Sequence, residues 1–134
     1  MPLKFVKKYS RQDIRDNPDW LYVFGDNLVG KGFGGQAREA RGELNTIGIP
    51  TKYAPGTLPQ DYFSDTDNET DQECINHVIM GKFIHIAILL ERGYTVVFPE
   101  DGVGTGLAEL PKRAPKLFTA ITKSTQHLKE TYGE

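Results

Sequence analysis

Two short glycine-rich stretches carry the densest chemical signal in the chain. Gly30-Lys31-Gly32-Phe33-Gly34-Gly35 follows the apolar run Trp20–Phe24, and Gly102-Val103-Gly104-Thr105-Gly106 follows Tyr94–Pro99. Glycine at such places permits positive φ and lets backbone N–H groups approach a ligand with no Cβ in the way. Each stretch leads towards helical sequence, Gln36–Arg41 and the segment near Pro111. A helix N-terminus there would add unpaired N–H groups and partial positive charge, which favour an anion. Two such loops facing each other would grip two linked phosphates. Neither stretch has the Lys-Ser/Thr ending of a P-loop or the Rossmann spacing. The rival reading is two tight turns that serve only folding.

Other chemistry-bearing residues lie close by in sequence. Asp26 and Asn27 end the first apolar run, where they would bond ligand hydroxyls or cap the turn themselves. Lys31 is either a phosphate partner or a solvated loop-tip charge, and Lys52 a nucleophile, a solvated loop lysine or a cation that only pairs with a phosphate. Attack by Lys52 would need a neutral amine, from burial or a neighbouring cation. Tyr53, Tyr62 and Phe63 either stack on a base or pack against the domain. His77 and His85 read as a surface and a half-buried helix residue, and Cys74 as a small packing residue. The acidic alternation Asp65, Asp67, Glu69, Asp71 lacks the glycine of a calcium loop, since Thr70 stands there, and reads as a solvated turn. No metal or cofactor is expected.

The elements that must position these residues follow from periodicity. Leu3–Tyr9 reads as a strand, Ser10 as the N-cap of a helix over Arg11–Asp16, and Trp20–Phe24 as a strand buried on both faces. Thr46–Pro50 is a third strand; Lys52–Asp67 is turn-rich and reads as a mobile loop. Thr70 with Glu73 predicts a capping box for the longest helix, which ends near Arg92-Gly93. Ile75, Val78, Ile79, Phe83, Ile86, Ala87 and Leu90 mark its buried face. Tyr94–Pro99 is the fourth strand. A last helix from about Pro111 buries Ala114, Leu117, Phe118, Ile121 and Leu128. Alternating strands and helices predict an α/β fold, a three-layer α/β/α sandwich with a mostly parallel central sheet, in one domain over residues 1–134.

Taken together, these segments resemble a macrodomain, the ADP-ribose-binding module. Gly25 to Ala37 is similar to the family's first ligand loop, and Val97-Phe98-Pro99 with Gly102 to Leu107 to its second, which holds the diphosphate. Ile47-Gly48-Ile49-Pro50-Thr51-Lys52 is similar to the strand before the catalytic lysine of the terminal ADP-ribose glycohydrolase branch. The resemblance implies a ligand site of Asp26, Gly30, Gly32, Phe33, Gly34, Gly35 and Gln36 on the first loop. On the second it implies Asp101, Gly102, Val103, Gly104, Thr105, Gly106 and Leu107. Lys52 and Asn27 would be the catalytic pair, Lys52 attacking the anomeric carbon and Asn27 near the distal ribose. That branch continues its second loop as Gly-Leu-Asp with an acid–base aspartate; here Gly106-Leu107 is followed by Ala108. The implied functions are therefore ADP-ribose binding with hydrolysis of ADP-ribosyl linkages, or a non-catalytic reader. An α/β interaction domain without ligand is the third alternative.

Composition bounds the partners. With 16 Lys and Arg against 18 Asp and Glu, the formal net charge of −2 gives no general attraction for nucleic acid. The expected partners are ADP-ribose or a related nucleotide and an ADP-ribosylated macromolecule. A single cysteine excludes an internal disulfide, and Met1-Pro2-Leu3-Lys4 does not open a signal peptide. The longest apolar stretch, Ile84 to Leu90, is interrupted by His85 and too short to span a bilayer, so a cytoplasmic chain without membrane contact is expected.

Overall fold

The computed structural model describes residues 3–133. Four strands, β1 (Leu3–Val6), β2 (Trp20–Asn27), β3 (Thr46–Lys52) and β4 (Thr95–Pro99), form one sheet in the order β1-β4-β2-β3. Every pairing is parallel, as the unbroken apolar runs of β2 and β4 predict. Helix α1 (Arg11–Asp16) joins β1 to β2, and the single turn α2 (Ala37–Ala40) joins β2 to β3. Helix α3 (Glu69–Glu91) leads back to β4, which is followed by the single turn α4 (Leu110–Arg113) and by α5 (Pro115–Tyr132).

The direction of travel decides which face each helix covers. The first two crossovers run one way across the sheet and the third runs back. With right-handed connections they must lie on opposite faces. The packing agrees. Tyr22, Phe24 and Val97 pack with Ile14 of α1 and with Ala37 and Ala40 of α2. The alternate residues Val23, Val96 and Phe98 pack with Ile75, Ile79, Phe83, Ile86 and Leu90 of α3, and with Ile121 and Leu128 of α5. Arg11 ties the smaller side together: it bonds Glu43 at 2.8 Å and the carbonyls of Arg38 and Arg41 at 2.9 and 3.0 Å. That hydrogen bond, with Arg15 beside it, holds the Glu43 carboxyl below its ordinary range.

Several expectations are corrected. The first strand stops at Val6, and Tyr9 turns inward to the core instead of extending it. The cap of α3 is Asn68, whose side chain accepts from the Asp71 amide, so the helix starts ahead of the predicted Thr70–Glu73 box. Val78 is exposed and lies off the buried face of α3. The last helical stretch is two helices broken at Ala114, because Pro115 has no N–H to continue the first.

The segment after β3 is folded onto the domain. Phe63 and Tyr62 are buried, and Tyr53 meets Phe63 edge-on at 4.7 Å between ring centroids. Asp67 accepts from the Tyr53 hydroxyl and the Ser64 amide; burial first and then this carboxylate push the Tyr53 hydroxyl above its ordinary range. Asp65 accepts from the amides of Lys116 and Leu117 and so caps α5 across the chain. Within the acidic alternation, Asp65 and Asp67 serve as acceptors of backbone amides, and Asp71 accepts from the Asn68 side chain. Cys74, His77 and His85 are all exposed, so Cys74 packs nothing.

Because Phe63 is a core residue, Phe63→Ala is expected to cost about 3–5 kcal/mol in chemical denaturation. It should also make residues 53–67 the first site of limited proteolysis. A cost near that of a surface change would show that the segment is only loosely attached.

Candidate functional site

The sheet opens in its middle. β2 and β4 pair only at Trp20–Thr95, Leu21–Val96 and Tyr22–Val97. β2 runs on beside β3 as far as Asn27 against Lys52, while β4 runs on beside β1 as far as Pro99. The chain leaving β2 turns to the α2 side, and the chain leaving β4 turns to the α3–α5 side. This is the switch point at which ligands of open α/β sheets bind. A cleft of about 610 Å³ occupies it, within the ordinary range of small-molecule sites.

Both glycine loops line this cleft, and most residues expected there are on its wall. Asp26, Asn27, Gly32, Gly34, Gly35 and Gln36 come from the first loop, and Asp101, Gly102, Val103, Gly104, Thr105, Gly106 and Leu107 from the second. Lys52 reaches it from the end of β3. Gly30 and Phe33 do not line it; Phe33 is 63% exposed. Lys7, Lys8, Arg38 and Arg41 were not foreseen. They arrive from the β1–α1 loop and from around α2, and no local pattern marked them. With Lys31 and Lys52 these cations outnumber the lining carboxylates Asp26, Glu39 and Asp101, in a chain that is acidic overall.

The side chains of the first loop are largely spent on holding the loop. Asn27 donates to the Lys31 carbonyl at 2.7 Å and accepts from the Lys31 amide at 3.4 Å. Arg41 pairs with Asp26 at 2.5 Å and donates to the carbonyls of Gly32 and Lys31. Gln36 donates to the Tyr9 carbonyl at 2.8 Å, fastening the loop to the chain that follows β1. Lys52 is 8% exposed; its Nζ donates to the Gly56 carbonyl at 2.6 Å and lies 4.3 Å from the centre of the Tyr62 ring.

The second loop is held by apolar contacts. Val103, Ala108 and Leu110 are buried, and the Leu110 amide donates to the Gly104 carbonyl at 2.9 Å. Gly104 has φ +85°, and a Cβ there would overlap the Leu110 side chain, so only glycine fits. The loops meet where Leu107 crosses to Gly34: a Cβ on Gly34 would stand 2.5 Å from Leu107 Cδ1.

The backbone is left free. Among the described residues, the amides of Gly32, Gly34 and Gly35 and those of Val103 through Leu107 donate to no protein acceptor. The helices beyond the loops add little, since α2 and α4 are 4 residues each. The expected contribution from helix termini is therefore replaced by the loop amides themselves.

Fold and cleft together define an open parallel α/β protein with an anion-suited crevice at its switch point. The chain belongs to the family of unknown function DUF7831, whose model matches residues 4–124. No curated protein and no solved structure matches it.

Arg41 organises the first loop through three acceptors, so Arg41→Met is expected to raise amide exchange at Lys31–Gly35 at least tenfold. The overall stability loss should be about 1–3 kcal/mol. Exchange confined to the wild-type rate would mean that glycine turns alone hold the loop.

Proposed function

We propose that the cleft binds ADP-ribose or a closely related nucleotide diphosphate, gripped by the two glycine loops. The carrying observation is the set of unpartnered amides on residues of both loops that line one crevice, whose wall also carries more cations than carboxylates. Preorganised N–H donors in a partly dewatered crevice recognise a diphosphate without a basic protein surface. The resemblance of both loops and of the Ile47–Lys52 strand to the macrodomain pattern selects ADP-ribose among such ligands.

Binding without turnover is the reading the side chains favour. Ala108, a buried methyl on the cleft wall, stands where the glycohydrolase branch has its aspartate. Asp26 is engaged by Arg41, Asn27 by the Lys31 backbone, and Lys52 by Gly56 and Tyr62. Glu109, the next carboxylate, pairs with Arg113 and is not on the wall. The second reading, cleavage of an ADP-ribosyl linkage, rests on Lys52 reaching the cleft from β3; Asp101, exposed on the wall, is the remaining acid–base candidate.

The test is calorimetric titration of ADP-ribose into the wild-type protein and Gly106→Glu. Gly106 lines the cleft, has no positive φ, and offers open space to a new side chain, so the fold should survive. Saturable binding that weakens at least tenfold in the variant, and weakens with added salt, is expected. No heat with ADP-ribose, AMP or NAD would overturn the reading. With an ADP-ribosylated peptide, release of ADP-ribose that vanishes in Lys52→Ala would establish the hydrolase reading over the reader.

A further inference from the structure

The strand order gives the cleft a direction. With the sheet ordered β1-β4-β2-β3, the wall runs from the chain leaving β1 to Lys52 and Pro55 beyond β3. Between those ends lie the two glycine loops, which follow the middle strands β4 and β2 and carry the unpartnered amides. The β1 end carries a different group: Lys7, Lys8 and Arg38, all exposed and all on the wall. Among the described residues, none of these three side chains bonds or pairs with a protein acceptor; Arg38 offers Arg11 only its carbonyl.

The backbone beneath these cations is pinned. The Glu100 amide donates to the Val6 carbonyl at 2.7 Å, and Gln36 Nε2 donates to the Tyr9 carbonyl at 2.8 Å, so Lys7 and Lys8 stand between two fastened points. Tyr9 is itself buried, with its hydroxyl on the Val23 carbonyl. The Arg38 carbonyl accepts from Arg11 at 2.9 Å and its amide donates to the Gly35 carbonyl at 3.2 Å, which sets Arg38 beside the start of α1. Opposing charge on the wall is largely engaged elsewhere. Asp26 is paired with Arg41, and Glu39 accepts from the Arg11 amide at 3.0 Å. Asp101 alone is left without a partner among the described residues of the wall, against three cations.

We propose that the β1 end is a second anion site, which takes a phosphomonoester that the ligand carries in addition to its diphosphate. The inference rests on the diphosphate reading, which fills the middle of the cleft and leaves this end without an occupant. Loop amides suffice for a diphosphate and give no reason for three further cations. A phosphomonoester carries about −1.5 to −2 charges near neutral pH, a dense charge that loop amides at the centre do not reach. Two lysines meet such a group as point charges, and the planar fork of an arginine binds two of its oxygens at once. A base edge or a plain sugar hydroxyl at this end would leave the three cations with no counter-charge. The phosphate could sit on the nucleoside ribose or on the terminal ribose; the recognising chemistry is the same for both.

Calorimetric titration of the full chain with ADP-ribose, 2′-phospho-ADP-ribose and ADP-ribose 1″-phosphate, at one ionic strength, tests this. One of the two phosphorylated ligands should bind at least tenfold tighter than ADP-ribose, and its identity says which ribose lies at the β1 end. In the triple variant Lys7→Gln, Lys8→Gln, Arg38→Gln the ratio of those two affinities should fall to about one, whatever happens to ADP-ribose itself. The three side chains are exposed and hold no bond of the fold, so the variant should keep the wild-type thermal melt. No gain from either phosphate, an equal gain from both, or a gain that survives in the triple variant overturns the inference. Where ADP-ribose binds in those cases, the diphosphate reading stands; a chain that binds none of the three ligands overturns both.

Discussion

The separation of β2 from β4 beyond Tyr22 and Val97 is the constraint on which the rest of the structure depends. It exists because β4 is inserted between β1 and β2 after the chain has crossed the sheet one way and come back, so neighbouring strand ends send their loops to opposite faces. Parting two strands exposes backbone groups that the ladder would have paired, and a buried unpaired carbonyl is costly. Here Tyr9 meets that cost. The Tyr22 amide bonds the Asn45 carbonyl towards β3, so by alternation the Val23 carbonyl faces the gap, and the Tyr9 hydroxyl donates to it at 2.6 Å. Burial, with Tyr22 alongside, pushes the Tyr9 hydroxyl far above its ordinary range and keeps it a donor.

Around that opening, side chains and backbone divide the work. Asn27, Arg41 and Gln36 hold the first glycine loop, and Val103 and Leu110 anchor the second, while the amides of Gly32, Gly34, Gly35 and Val103 through Leu107 remain without protein partners. A side chain that must both shape a loop and bind a ligand would have its polar atoms claimed twice. Side chains spent on shape leave the amides of these loops unclaimed, and glycines at these positions keep them uncrowded. It also gives Leu107 a place: at 65% exposure it reaches across to Gly34, so the two halves of the crevice touch at its mouth.

The glycine runs, the apolar strands and their order along the chain were legible without coordinates, since period and turn chemistry are local properties. They were enough for the parallel α/β class and for most of the crevice wall. Long-range geometry decided the remainder. Lys7, Lys8, Arg38 and Arg41 read as ordinary solvated cations until the strand order brings the end of β1 and the turn of α2 to one rim. Tyr53, Tyr62 and Phe63 sit in a stretch rich in Pro and Gly, which signals turns, and only the space left between β3, α3 and α5 makes them core. The sequence by itself determined which backbone could present amides to an anion. Tertiary structure alone decided that two such loops, one at residues 30–35 and the other at 102–106, line one crevice, because a parallel sheet joins strand ends by pairing that sequence distance does not record.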